Sequence, residues 1–449
     1  MFNETITWLK QELNNTNELA QKTLEIEDKL SFIYYISSLV DVEMIQKVII
    51  KPFFEMPTED HFEAYLKSLP QQLDFQKQEE ILTNLLSGSV LVALKDKFLI
   101  LNLSKTHVDQ VQQVNIEPTI HGSQLGFSED LTTNINIIRN QYKQSSLTVE
   151  LSSVGKLNKQ KYALLYDKEK VNKTVLKKFR ERISSVDKEL IQSSSQLISH
   201  INNRAKLISY FPTTLLTERS DRTIYNIAGG KIIVLMEGST LAIVAPAVFF
   251  DFMVSMEDNY HSFWISNFLR ALRYVGLLVC ILLPGLYVAV TSYSPEILRV
   301  ELALTIAGSR VGVPYPPYIE VLFMLFFMEL LVEASIRLPK AMSATATTVG
   351  GLILGTAATE ANLTSNIMII IISAVAISTF VIPINEMSFA VRTVRLALII
   401  FASIFGLAGV VLAAIGFLMY LVNLNSFGEP YLRFYNYRKK NERGDVLNE

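Results

Sequence analysis

Three side chains at successive spacings of four, Glu329, Glu333 and Arg337, lie inside the otherwise apolar VLFMLFFMELLVEASIRLPK of residues 321–340. On a helix that spacing puts all three on one face, each carboxylate N-terminal to the next charge. Carboxylates so arranged can draw cations and lower the barrier to their desolvation, and a guanidinium beside them can neutralise them and latch a closed state. Facing hydrocarbon, each charge would cost from about 2.5 kcal/mol upward near the bilayer centre, so the stripe needs protein, water or headgroups around it. Three arrangements meet that need. The stripe lines an aqueous path, it forms a buried ion-pair network between helices, or Arg337 sits at an interface with little functional consequence.

Motifs for bond-making chemistry are missing. His61, His107, His121, His200 and His261 are scattered without an HExxH or other metal-ligand spacing. Gly229-Gly230 and the HGSQLG of residues 121–126 complete no phosphate-cradling loop, and there is no GxSxG elbow. The single cysteine, Cys280, permits neither an intramolecular disulfide nor a thiolate cluster. The expectation is a non-enzyme with no metal and no cofactor.

The elements that must carry the stripe are read from charge depletion. Residues 274–295 hold no Asp, Glu, Lys or Arg in 22 positions, residues 361–385 none in 25, and residues 396–428 none in 33. At about 1.5 Å per residue, each run could cross a hydrocarbon core of about 30 Å as a helix. From Arg270 to Glu429 only 8 basic and 8 acidic residues occur, whereas residues 1–230 are rich in Lys, Glu, Asp, Gln, Asn and Ser. The start, MFNETITWLK, does not read as a cleaved signal, so an internal span is expected to direct insertion and residues 1–230 to stay in the cytoplasm.

Spans are expected at about 271–291 (bent at Pro284), along the charged helix, at 366–383 and at 396–422. Tyr260 and Trp264 mark the headgroup level before the first. Residues 241–254 read as a buried strand and a surface segment. Residues 341–359, rich in Gly, Ala and Thr, read as a re-entrant or interfacial hairpin, where Thr348 and Thr356 could meet passing ions. Residues 296–317, with VGVPYPP, read as a stiff loop. Arg270 and Arg273 before the first span and Arg433, Arg438, Lys439, Lys440 and Arg443 after the last place both ends in the cytoplasm, which four spans satisfy.

In the polar half, residues 1–30 look like a loosely held polar helix or tail. Residues 30–54 can enter a core, with a helical pattern at Val42, Ile45, Val48 and Ile49. Residues 90–94 and 98–101 suggest a hairpin. Further strands are expected at 162–166, 231–236 and 240–244, with a polar helix through Val171, Val175, Phe179 and Ile183. The fold class is multi-domain: a cytosolic mixed α/β N-terminal region of two subdomains, then an all-α polytopic membrane domain of about four spans plus the re-entrant or interfacial segment. The expected units are residues 1–143, 144–255, 256–428 and a basic cytosolic tail of 429–449.

The chain also carries TERSD at 217–221, EGST at 237–240, SMED at 255–258, LPGLYVAV at 283–290 and GVPYPP at 312–317. VEASIRLP at 332–339, VGGLILGTAA at 349–358 and SFGEPYL at 426–432 continue the series, and HGSQLGFSED with Asn134 and Arg139 looks like a degenerate soluble-domain motif. In these residues it resembles the A subunits of the GerA family of spore germinant receptors. The resemblance implies a ring, plausibly a pentamer, in the spore inner membrane, with an ion path between the membrane portions. It implies a transporter-like B subunit that senses the nutrient, a lipoprotein C subunit, and release of monovalent cations on opening. It also covers a related amplifying channel that senses no nutrient itself. By the same resemblance Glu329, Glu333, Arg337 and Pro339 belong to a charged membrane segment, Arg310 and Pro314 to an extracytoplasmic connector, and Gly350, Gly351 and Gly355 to a small-residue turn. Ser335 and Ser343 depart from the usual glycines, and Thr356 from a common glutamine. Nucleic acid is not an expected partner. A secondary transporter and a non-conducting membrane scaffold stand as alternatives to a ligand-gated cation channel.

Overall fold

The computed structural model describes residue 8 and residues 19–26, 29–73, 78–94, 97–104, 114, 116–203 and 210–433 of the 449-residue chain. His107, most of the expected N-terminal tail and the basic residues after Arg433 lie outside these.

The first antiparallel sheet has the order β1-β2-β4-β5-β3, built from β1 (Leu19–Ile26), β2 (Lys29–Ile36), β3 (Gln72–Leu73), β4 (Ser89–Leu94) and β5 (Lys97–Asn102). Helices α1 (Val42–Ile45), α2 (Lys51–Glu55), α3 (Glu59–Ser68) and α4 (Gln78–Leu85) accompany it, with a π-turn at Gln46–Ile50 between the first two. Ile33, Ile45, Ile49, Phe53, Phe62 and Val92 meet in its core. The expected hairpin is β4–β5, paired from Ser89↔Asn102 to Leu94↔Lys97. The loose-tail expectation fails at residues 19–26, which pair with β2 from Leu19↔Ile36 to Ile26↔Lys29. LAQKTLEI is polar because it is an edge strand that buries little beyond Leu24.

The second sheet, order β6-β7-β9-β10-β8, is also antiparallel throughout: β6 (Leu147–Val154), β7 (Gln160–Asp167), β8 (Leu215–Thr217), β9 (Ile232–Met236) and β10 (Ala242–Ala245). Helices α5 (Leu131–Gln141) and α8 (Ser220–Ala228) cover one face, α6 (Lys173–Ser184) and α7 (Ser194–Asn203) the other. The continuous apolar run IIVLM follows from that sandwich. Ile233 and Leu235 enter the core with α5, while Ile232, Val234 and Met236 pack with Val175, Phe179 and Ile183 of α6. Helix α5, which a junction at 143/144 would leave with the first unit, puts Leu131, Ile135 and Ile138 into this second core.

The rest is helical: α9 (Phe263–Tyr293), α10 (Val300–Ser309), α11 (Pro317–Arg337), α12 (Lys340–Glu360), α13 (Asn366–Phe380) and α14 (Asn385–Asn423). Among the described residues, α9 and α14 alone are both long and apolar enough, by length and composition, to cross a membrane; α10 and α13 are shorter apolar helices. Helix α10 occupies what was expected to be a plain stiff loop, because the prolines cluster after residue 313 and leave VELALTIAGS free to coil.

Contacts order the helix path. Near the α/β end, Arg273 donates to Met253 O at 3.3 Å and Tyr210 N donates to Tyr420 Oη at 3.1 Å. At the far end, Tyr293 Oη donates to Ser403 O at 2.5 Å. Helix α9 therefore runs outward, α11 back, α12 outward and α13 back. Helix α14 runs outward to Gly406 and returns. The long fourth span expected at 396–422 is broken there, with Gly406 at φ 61, ψ −137. A Cβ on Gly406 would stand 2.9 Å from Tyr293 Cβ, so only glycine fits the turn. Tyr293 also takes up a carbonyl that the broken ladder releases. After α14 a small hairpin, β11 (Asn425–Ser426) and β12 (Glu429–Pro430), returns the chain to the α/β region, where Tyr431 is fully buried.

Candidate ion path and its anchoring charges

Helix α11 starts on Pro317, whose missing N–H costs nothing in a first turn. Its Glu320 is fully buried and accepts from Ser365 N at 2.6 Å, Ser365 Oγ at 2.7 Å and Thr364 Oγ1 at 3.2 Å. Arg310 answers that charge at 3.2 Å and donates to Tyr315 O at 2.9 Å. Arg310 thus fastens the connector to the starts of α11 and α13, while Pro314 stands exposed on the turn. Glu320 was missed in the sequence because it lies one residue outside the apolar run.

Glu329 points to α14. Its Oε2 meets Arg392 Nη1 at 2.8 Å and its Oε1 meets Arg395 Nη2 at 2.7 Å. Arg395 is 1% exposed and also reaches Cys280 Sγ at 3.6 Å. Among the described residues the Nε atoms of both arginines have no partner, so two guanidiniums share one carboxylate. Removing the carboxylate strands the buried Arg395 charge, at a cost of up to about 3–5 kcal/mol for a fully buried pair; the Glu329 side chain is 35% exposed. Glu333 and Arg337 pair with each other at 2.6 Å, and their side chains are 57% and 76% exposed. The single stripe expected from the spacing therefore divides. Glu329 serves an interhelical ion pair, and the next two charges face outward.

Residues 341–359 belong to one continuous helix, α12, which corrects the re-entrant or interfacial hairpin. Gly-Gly does not break it, since each helical glycine costs only about 1 kcal/mol. Pro339 is its N-cap residue, in an extended conformation before the first turn. Gly350 is the close-packing position: a Cβ there would lie 3.1 Å from Leu331 Cδ2 of α11. A Cβ on Gly355 would rest 3.9 Å from Ile369 of α13, and one on Gly351 would meet nothing within 4 Å. Thr348 and Thr356 are exposed and donate back to Ala344 O at 2.9 Å and Leu352 O at 3.0 Å. Each oxygen remains an acceptor on the outer face. The two departures from glycine meet across the α11–α12 turn, with Ser335 Oγ 2.8 Å from Ser343 Oγ.

A second charged layer joins the α/β region to these helices. Asp258 is buried and receives Arg273 at 2.6 Å and Arg270 at 3.3 Å. Arg222 pairs with Glu117 at 2.7 Å and donates to Asp251 O at 2.8 Å and Val254 O at 3.1 Å. Arg219 pairs with Asp221 at 2.7 Å and donates to Ser123 O at 3.0 Å. Tyr260 Oη donates to Asp221 at 3.2 Å, and burial followed by that carboxylate pushes its hydroxyl pKa up. TERSD, SMED and HGSQLGFSED thus meet at one junction, a role their separation in sequence concealed. Among the described residues, no group of three or more His, Cys, Asp or Glu could hold a metal ion.

A family model described as Bacillus/Clostridium GerA spore germination protein matches residues 7–448. Spore germination protein GerLA of Bacillus cereus is 30% identical over 438 residues, 95% of this chain and 89% of that protein. Spore germination protein GerQA of Bacillus cereus is 33% identical over 437 residues, 95% of this chain and 86% of that protein. Spore germination protein B1 of Bacillus subtilis (strain 168) is 29% identical, across 94% of this chain and 92% of that protein. The crystal structure of the N-terminal domain of the A subunit of the Bacillus megaterium spore germinant receptor GerK3 is similar at 20% identity and a TM-score of 0.41. It covers 56% of this chain and 96% of that one.

Proposed function

Because this chain belongs to the GerA family of spore germinant receptor A subunits, and so acts in spore germination, we propose that its copies form a ligand-gated cation channel in the spore inner membrane. Monovalent cations pass between the membrane portions. A transporter-like B subunit binds the nutrient, and a lipoprotein C subunit completes the receptor. The α/β units (expected as 1–143 and 144–255) and the tail lie in the cytoplasm, and residues 256–428 lie in the bilayer.

The observation that carries the reading is the outer face of α11 and α12. Glu333, Arg337, Thr348 and Thr356 are exposed beside Phe326, Leu330, Val349 and Leu352. Charged and polar groups on a helix in the bilayer are costly against acyl chains and call for protein or water around them. Neighbouring copies around a narrow wet passage would cover the apolar positions and hydrate the polar ones. The bare side of Gly351 suits a close neighbour.

Six helical passes, rather than four spans, fit this arrangement: α9, α11, α12, α13 and the two limbs of α14. An even number keeps both ends on one side. The 15-residue α13 spans only about 22 Å. Its N-terminal end would need a cover of protein, and Glu320 supplies one by accepting from Ser365 N. Gating then shifts an existing closed–open equilibrium, with the junction at Arg222 and Asp258 joining the α/β region to α9.

The test is cation efflux from liposomes containing the purified receptor. Glu333→Gln is expected to lower efflux several-fold at equal abundance and unchanged assembly. Efflux equal to wild type would remove Glu333 from the passage.

A further inference from the structure

The SFGEPYL segment has no part in the proposed passage, yet it forms one wall of a cavity. Phe427 (φ 50) and Gly428 (φ 96) make the left-handed turn between β11 and β12. The Phe427 ring is buried 5.1 Å from that of Phe179 on α6, which pins the turn to that helix. Between them opens a cavity of about 470 Å³ lined by Lys178, Glu181, Arg182, Asn425 and Gly428. That size falls within the range of small-ligand sites, roughly 300–1,000 Å³.

Its charge is unbalanced. Helix α6 carries Lys173, Lys177, Lys178, Arg180 and Arg182 against Glu181 alone. Arg180 is spent on Glu150. Neither the Lys178 ammonium nor the Arg182 guanidinium has an ion-pair or hydrogen-bond partner among the described residues; the guanidinium lies over the Phe427 ring, 4.5 Å from its centroid. Burial lowers the Arg182 pKa from its ordinary value, as expected of a guanidinium without a counter-charge. Gly428 makes room for the other cation, since a Cβ there would stand 2.5 Å from Lys178 Nζ.

We propose that this cavity binds a phosphate group, held between the Lys178 ammonium and the Arg182 guanidinium, with Asn425 as a neutral polar contact. Two cations against one carboxylate leave a net positive wall, and a guanidinium beside an ammonium suits a tetrahedral oxyanion. The cavity lies directly after the end of α14. In the membrane reading that is the headgroup level, so the phosphate comes either from a phospholipid or from a soluble phosphate.

The test uses the full-length chain in nanodiscs, melted in phosphatidylcholine alone, with phosphatidylglycerol added, and with inorganic phosphate titrated into the neutral discs. A rise in the unfolding midpoint is expected in at least one arm. Lys178→Gln should weaken the apparent affinity roughly three- to fivefold. Lys173→Gln, which removes the same charge from the same helix outside the cavity, should leave it unchanged. Arg182→Lys, which keeps a cation while giving up part of the packing on Phe427, should retain more protection than Arg182→Gln. Protection by inorganic phosphate identifies a soluble source, and protection only with phosphatidylglycerol identifies the headgroup. No protection in either arm, or equal weakening by Lys173→Gln, overturns the proposal.

Discussion

A carboxylate held between two guanidiniums has a different duty from one facing outward, and α11 carries both kinds. Glu329 compensates Arg392 and the fully buried Arg395. Glu329→Gln should therefore destabilise the protein by up to about 3–5 kcal/mol in thermal unfolding, the fully buried limit, because the buried Arg395 loses its counter-charge while Glu329 itself is 35% exposed. Glu333→Gln should cost under about 1 kcal/mol, since its pair with Arg337 is exposed. Equal losses would mean that both carboxylates share one environment. The spacing of Glu329, Glu333 and Arg337 made the charged face legible from sequence. The inward partners were not legible, because Arg392 and Arg395 lie 63 and 66 residues away on another helix and no local pattern joins them. Glu320 and Arg310, 10 residues apart, escaped for a related reason: Arg310 read as connector, and Glu320 fell between the connector and the charged helix.

At the scale of elements, the break in α14 decides how the helices traverse. Gly406 occupies a φ/ψ combination that costs a residue with a Cβ about 1–3 kcal/mol, before the clash with Tyr293 is counted. Gly406→Ala should lower stability by at least that amount in thermal unfolding, and adding Tyr293→Ala should recover only the part owed to the clash. A neutral Gly406→Ala would mean that α14 runs straight. Sequence could not separate these cases, since Gly406, Gly409 and Gly416 read equally well as packing surfaces on an unbroken span. Where periodicity was strong, the elements were legible: the β4–β5 hairpin, β7, β9, β10 and the four-residue spacing of α6. Edge strands β1 and β6 were not: LAQKTLEI is mostly polar, and LTVELSSV alternates only over its first five residues before the polar Ser152 and Ser153.

For the whole molecule, the second sheet, the charged junction at Asp258 and the helices form a continuous route from the α/β region to α11 and α12. The core around the second sheet continues into Leu277, Val288, Leu398 and Ile399 of the helices. The central claim is that the outer face of α11 and α12 borders water between copies of this chain rather than lipid. Thiol accessibility tests it most directly: Glu333→Cys and Thr348→Cys, each in a Cys280→Ala background, reconstituted and exposed to a charged thiol reagent or to a nitroxide dissolved in the acyl chains. The account predicts rapid reaction with the charged reagent and weak access for the lipid nitroxide, in particles holding more than one copy. Strong access for the nitroxide and no reaction with the charged reagent, in a particle of a single copy, would contradict it.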